Sequence, residues 1–104
     1  MLTKYLQAFI SAENKKQANK ILDVLLKKKL IAGGLILHGP TRFWWKGKII
    51  NTNYYNISAF TKDSHKKAIV EGVRETSSEE VPMVWFVPFK GNEEFISWID
   101  ENVV

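Results

Sequence analysis

Apolar and polar positions alternate along this chain in two distinct periods, and the switches between them mark the elements. Tyr5–Ile10 is a short run with aromatic and β-branched content, which predicts a first strand. Ser11 is positioned to cap a helix. In that helix Ala18, Ile21, Leu22, Leu25 and Leu26 recur at the spacing of one buried face. Leu30–Leu37 is almost wholly apolar and reads as a buried second strand. Its Gly33-Gly34 pair suggests a bulge or a close backbone approach. His38-Gly39-Pro40 carries a turn signal, after which Thr41–Lys46 predicts a third strand. Gly47 and Asn51-Thr52-Asn53 supply the next turn. Tyr54–Phe60 then alternates with period two, as a half-exposed antiparallel strand does.

Asp63 can cap a second helix, in which Ala68, Ile69, Gly72 and Val73 form a narrow apolar stripe. Ser77-Ser78-Glu79-Glu80 has capping-box spacing but runs into Val81-Pro82. A proline inside the first turns of a helix is costly, so this stretch predicts a loop. Met83–Phe89 is a continuous apolar run, expected to be a strand covered on both faces. Gly91-Asn92 opens a last helix with Asn92 as its cap, Glu93 and Glu94 at the positive end of its dipole, and Phe95, Trp98, Ile99 and Val103 as its core stripe. The order β-α-β-β-β-α-β-α predicts an α+β fold. It is a ferredoxin-like split β-α-β sandwich with an antiparallel sheet and a long hairpin. A length of 104 residues without repeat or linker predicts one domain spanning residues 1–104.

Composition narrows the chemistry. The chain has 15 Lys and Arg against 11 Asp and Glu, a formal charge of +4, and no cysteine. A disulfide framework, a thiolate metal site and a thiol nucleophile are therefore excluded. The triplet Lys27-Lys28-Lys29 suits the negative end of a helix dipole better than a nucleic-acid patch. No apolar stretch approaches the ~20 residues of a membrane span, and Met1–Ile10 lacks an extended signal-peptide core, so a cytoplasmic chain is expected. His38 and His65 are far apart and show no metal-ligand spacing. Neither a nucleophile elbow nor a phosphate-binding glycine loop is present, so no enzyme is expected. Arg42, Trp44, Trp45, Lys46 and Lys48 could stack and neutralise a single nucleic-acid strand. Trp and Arg are enriched at protein interfaces, which favours a subunit contact instead.

Leu30-Ile-Ala-Gly-Gly-Leu35, Trp45-Lys-Gly-Lys-Ile49, Phe60-Thr-Lys62, Glu80-Val-Pro82, and Gly91-Asn92 with Trp98 occur in an order and spacing that resemble the CutA divalent-cation tolerance family. Phe43 stands where that family usually has Tyr. The resemblance implies a tight homotrimer of PII-like architecture, with the hairpin around Lys46–Tyr55 packed across subunits. It implies a small binding or regulatory protein connected with metal tolerance, taking a divalent cation, copper(II) in particular. The family's strand-two cysteine falls at Gly33, its His-Pro-Tyr at Ser77-Ser78-Glu79, and a common Glu at Met83. The soft and imidazole donors are thus replaced, leaving Glu79 and Glu80 as oxygen donors suited to hard cations. Trp45, Lys46, Glu80 and Asn92 are the candidates for a ligand or inter-subunit cleft. For Glu80 a salt bridge to Lys46 is favoured over a ligand role, and Asn92 is most simply a cap. Two alternatives stand beside the metal reading: an interaction trimer with a decayed metal site, and a small-molecule or single-strand binder acting through the Trp–Lys hairpin.

Overall fold

A computed structural model describes residues 4–104. Strand β1 (Tyr5–Ala12) is followed by helix α1 (Lys15–Lys27), and strands β2 (Gly33–Trp45) and β3 (Lys48–Lys62) form one long hairpin. A single 3-10 turn (Asp63–His65) leads into α2 (Lys66–Thr76), then β4 (Val84–Pro88) and α3 (Glu93–Asn102). The strands pair in the order β2-β3-β1-β4, with every pair antiparallel. This is the ferredoxin-like α+β arrangement.

One face of the sheet carries the core. Leu6, Ala8, Ile10 and Ala12 alternate inward from β1, and Ile57 and Ala59 from β3. They meet Ala18, Ile21 and Leu25 of α1 and Ile69 and Val73 of α2, all sealed from solvent. The small residues Ala8, Ala18 and Ala59 are buried in this layer, and Gly72 lets α2 lie close to α1, since a Cβ there would already meet Leu25 at 3.2 Å. The opposite face has no helical layer over its centre. Phe9 stacks on Trp85 there, while Leu35, Leu37, Met83, Trp85 and Val87 remain exposed. At one end of this face Phe60, Phe89, Phe95 and Trp98 form an aromatic row beneath α3.

The structure corrects the expected elements at several points. The second and third predicted strands are one strand, because His38-Gly39-Pro40 stays extended within β2. Proline lacks an N–H, and β2 is an edge strand where that donor is not needed. Asn51-Thr52-Asn53 is paired with Pro40–Arg42 and makes no turn. Gly47 does turn the chain as expected, together with Lys46, and their φ values of 80° and 48° define a two-residue turn of the type that matches strand twist. The cap of α1 is Asn14, whose side chain accepts the Gln17 N–H at 2.9 Å; Ser11 remains in β1. Asp63 lies in the 3-10 turn and pairs with Lys66 at 3.1 Å without capping a helix. β4 is an edge strand, not a strand covered on both faces. In α3, Ile99 is buried, whereas Trp98 is half-exposed and stacks on Phe95.

β1 ends opposite Tyr55, so the hairpin beyond it is a two-stranded ribbon whose residues 40–45 and 48–53 pair only with each other. The ribbon gives the molecule its elongated dimensions of 44 × 25 × 21 Å. Ile57 lies in the interior strand at zero exposure, facing both helices. Ile57→Ala should cost about 2–5 kcal/mol, as cavity-forming core truncations do, read as a lowered denaturation midpoint in urea with an unchanged slope.

Candidate functional site

Strand alternation directs Phe43 and Trp45 from β2, with Ile50 and Tyr54 from β3, to one face of the ribbon. That face overlooks the loop between α2 and β4. Phe43 meets Tyr54 edge-on, with centroids 5.7 Å apart. Lys46, at the left-handed turn position, extends its ammonium to 5.4 Å from the Trp45 ring centre and 3.2 Å from a Glu80 carboxylate oxygen. Both ends of this ion pair are well exposed, so it contributes little stability.

The facing loop is fastened from several sides. Ser77 Oγ accepts the Glu79 N–H, and Ser78 Oγ donates to a Glu13 carboxylate oxygen. The fully buried Ser11 hydroxyl donates to Glu79 Oε2 at 2.7 Å and accepts the Met83 N–H at 2.8 Å. Glu79 Oε1 is shielded from solvent and has no hydrogen-bond partner. Burial pushes the Glu79 carboxyl above the usual carboxylate range. The Ser11 hydrogen bond opposes that shift, and the nearby Glu13 charge adds to it.

Between ribbon and loop lies a notch of about 400 Å³ that brings together Trp45, Glu79 and Glu80 with Glu13, Phe43 and Tyr54. Lys46 closes its rim through Glu80. Asn92 is not part of it. Asn92 precedes α3 just beyond Phe89, whose N–H binds the Tyr5 carbonyl at the other end of the sheet. Its side chain makes no capping bond and reaches Glu94. Glu13, Phe43 and Tyr54 were missed as site residues. Glu13 sits in an unremarkable strand-to-helix link, and only the ribbon's overhang brings the other two opposite it.

The donor set argues against a copper-type centre within one chain. Among the described residues no three His, Asp or Glu side chains converge. His38 stacks on Tyr55, and His65 contacts the Val104 carbonyl. At Gly33 a Cβ would come within 3.0 Å of the Trp98 indole, so a side chain there would need that ring to shift. Arg42 is held by Asn51 at 2.7 Å on the ribbon, while Trp44 beside it is 72% exposed.

Comparison with known proteins agrees with this architecture. The sequence model described as "CutA1 divalent ion tolerance protein" matches residues 6–102. The divalent-cation tolerance protein CutA of Archaeoglobus fulgidus is 31% identical over 96 residues, covering 91% of this chain and 94% of that protein. "Protein CutA 1, chloroplastic" of Oryza sativa is 26% identical, with 90% of this chain matching 54% of its length. A solved structure from A. fulgidus, named as a periplasmic divalent cation tolerance protein, superimposes with a TM-score of 0.92 at 30% identity, covering 96% of this chain and 99% of that one. The rice CutA1 structure also gives 0.92, at 22% identity. These names place relatives in different compartments. Among the described residues no helix is long and apolar enough to cross a membrane.

The raised Glu79 carboxyl has a consequence for stability. A carboxyl with a higher affinity for protons in the folded chain destabilises the fold once ionised, and acidification through its raised range removes that cost. Glu79→Gln keeps an oxygen to accept from Ser11 while removing the charge. It should raise the melting temperature by a few degrees at pH 8, with the gain shrinking toward zero below the carboxylate range. Calorimetry across pH 3–8 checks this, and a loss of stability at pH 8 would contradict it.

Proposed function

Because the chain belongs to the CutA1 divalent ion tolerance family, we propose that it acts as a small, non-catalytic homotrimeric binding or regulatory protein whose ligand site is the notch between ribbon and loop. The observation that carries the reading is the notch itself. Three carboxylates and three aromatic rings from four separate chain segments line one space, without the carboxylates meeting as a metal-ligand set. Among the described residues no hydrolytic or phosphate-binding machinery accompanies them, which favours binding over chemistry.

The trimer rests on the family resemblance and on the uncovered sheet face. Leu35, Leu37, Met83, Trp85 and Val87 expose a set of large apolar side chains, and β2 and β4 leave both sheet edges open. Monomeric proteins rarely leave such surface or such edges bare. In this reading the unit spans residues 1–104 and works in the cytoplasm, which fractionation of the native host would test.

For the metal, the geometry favours the interaction-trimer reading, in which a copper-type site is not retained. Lys46 occupies Glu80, and soft donors are missing around the notch. A second reading keeps weak contact between a hard divalent cation and Glu79 and Glu80. It is favoured by the unpartnered Oε1 of Glu79.

Native mass spectrometry with and without stoichiometric copper(II) and zinc separates these readings. The expected spectrum shows three chains and no defined metal uptake. A trimer taking a fixed number of ions per chain would move the conclusion to the second reading, and a monomer in both conditions would overturn the assembly.

A further inference from the structure

Charge is distributed unevenly along the chain. Residues 15–29 hold six lysines and one aspartate, a net +5, whereas the whole chain carries +4, so all other residues together sum to −1. That segment is helix α1 with the turn that ends it. Ala18, Ile21 and Leu25 face the core. Lys16, Lys20 and Lys27, at i, i+4 and i+11, therefore share the opposite side, and all three are exposed. Asp23 is the one acidic member of this stripe, which runs along about 16 Å of helix. Among the described residues Lys28 pairs with Glu75 at 3.7 Å, while Lys15, Lys16, Lys20, Lys27 and Lys29 form no ion pair.

Helix stability accounts for only half of this arrangement. Lys27, Lys28 and Lys29 complement the negative end of the α1 dipole. Lys15 and Lys16 stand at its positive end, in a first turn that has no acid. The same chain places Glu93 and Glu94 at that position in α3. Lys16 and Lys20 also repel each other across one turn. Lysines set against local preference mark a surface whose charge serves something other than folding. α1 lies on the core side of the sheet, opposite the exposed Leu35, Leu37, Trp85 and Val87, so an assembly through that apolar face leaves the lysine stripe uncovered.

The chemistry of the stripe selects among anionic partners. Lysine is depleted at protein–protein interfaces. Nucleic-acid strands are held by arginine forks and stacking aromatics, and α1 has neither. α2 packs along its flank, with Gly72 against Leu25, so α1 does not project to enter a groove. Compact ammonium groups spread over a two-helix layer match an array of anionic headgroups. We propose that the outer face of α1 docks the protein peripherally on anionic phospholipid surfaces through Lys16, Lys20 and Lys27. The apolar stripe of α1 is already buried in the core, so the attachment is electrostatic, without insertion into the hydrocarbon.

Co-sedimentation of the full chain with vesicles of phosphatidylcholine and phosphatidylserine in equal parts, at low ionic strength, tests this. Binding is expected there and not to phosphatidylcholine alone, and it should fall steeply as added salt shortens the screening length. Lys16→Gln combined with Lys20→Gln should weaken it about fivefold per lysine, the share that one cation near such a surface contributes. Gln and Lys have similar helix propensity, so the variant should keep its helix, which circular dichroism checks. Lys48→Gln combined with Lys90→Gln removes the same charge from other exposed positions and should change binding little. Equal losses in the two double variants would overturn the α1 face, and no vesicle binding at low salt would overturn the proposal. Tighter binding to a DNA oligonucleotide, dependent on Lys16 and Lys20, would overturn the lipid partner and keep the face.

Discussion

The register of the β2–β3 hairpin is the constraint on which the other features depend. It is set at one place, the left-handed pair Lys46-Gly47, and carried through thirteen residue pairs from Trp45–Lys48 to Gly33–Phe60. A slip of one residue would exchange the two faces of either strand. Ile57 and Ala59 would leave the core, and Trp45 and Phe43 would turn away from the loop that carries Glu79 and Glu80. Core, open face and notch are therefore three outcomes of one pairing. The strained backbone at Lys46 is part of the same device, because that conformation also aims the ammonium at Glu80.

The opposite wall is positioned by a different mechanism. The loop between α2 and β4 has no regular structure, yet it is tied to β1 by a buried hydroxyl that both donates and accepts. Ser11 links the Glu79 carboxylate to the Met83 N–H, so the loop and the start of β4 are anchored together. The cost of that anchoring is a carboxylate held partly away from water, with one oxygen unserved. A rigid ribbon facing a pinned loop makes a preformed space, which reduces the ordering that a ligand must induce.

Helical stripes were the most legible part of the sequence. Ala18, Ile21 and Leu25, then Ile69 and Val73, are buried as their spacing predicts. Turns were less legible, because Gly39-Pro40 and Asn51–Asn53 carry stronger local turn chemistry than Lys46-Gly47. Pairing across thirteen positions outweighed those local preferences. The apolar run Met83–Phe89 was misread as doubly covered, since a strand buried by helices and one left bare at a sheet edge look alike in sequence. Of the candidate residues, Glu79, Glu80, Trp45 and Lys46 fall together and Asn92 falls at the far end of the sheet. The Ser11–Glu79 contact spans 68 positions, and no local pattern announces it.

Gly33 and Trp98 bring an evolutionary consequence. The indole lies so close over Gly33 that a Cβ there would touch it at 3.0 Å, and the ring must yield before any side chain can be accommodated. The two positions are therefore epistatic. A side chain regained at position 33 is accommodated only by a shift of the half-exposed indole, of a few tenths of an ångström. That change would in turn loosen the aromatic row of Phe60, Phe89 and Phe95. The cost of a side chain at position 33 is therefore set by how freely the Trp98 ring moves within that row.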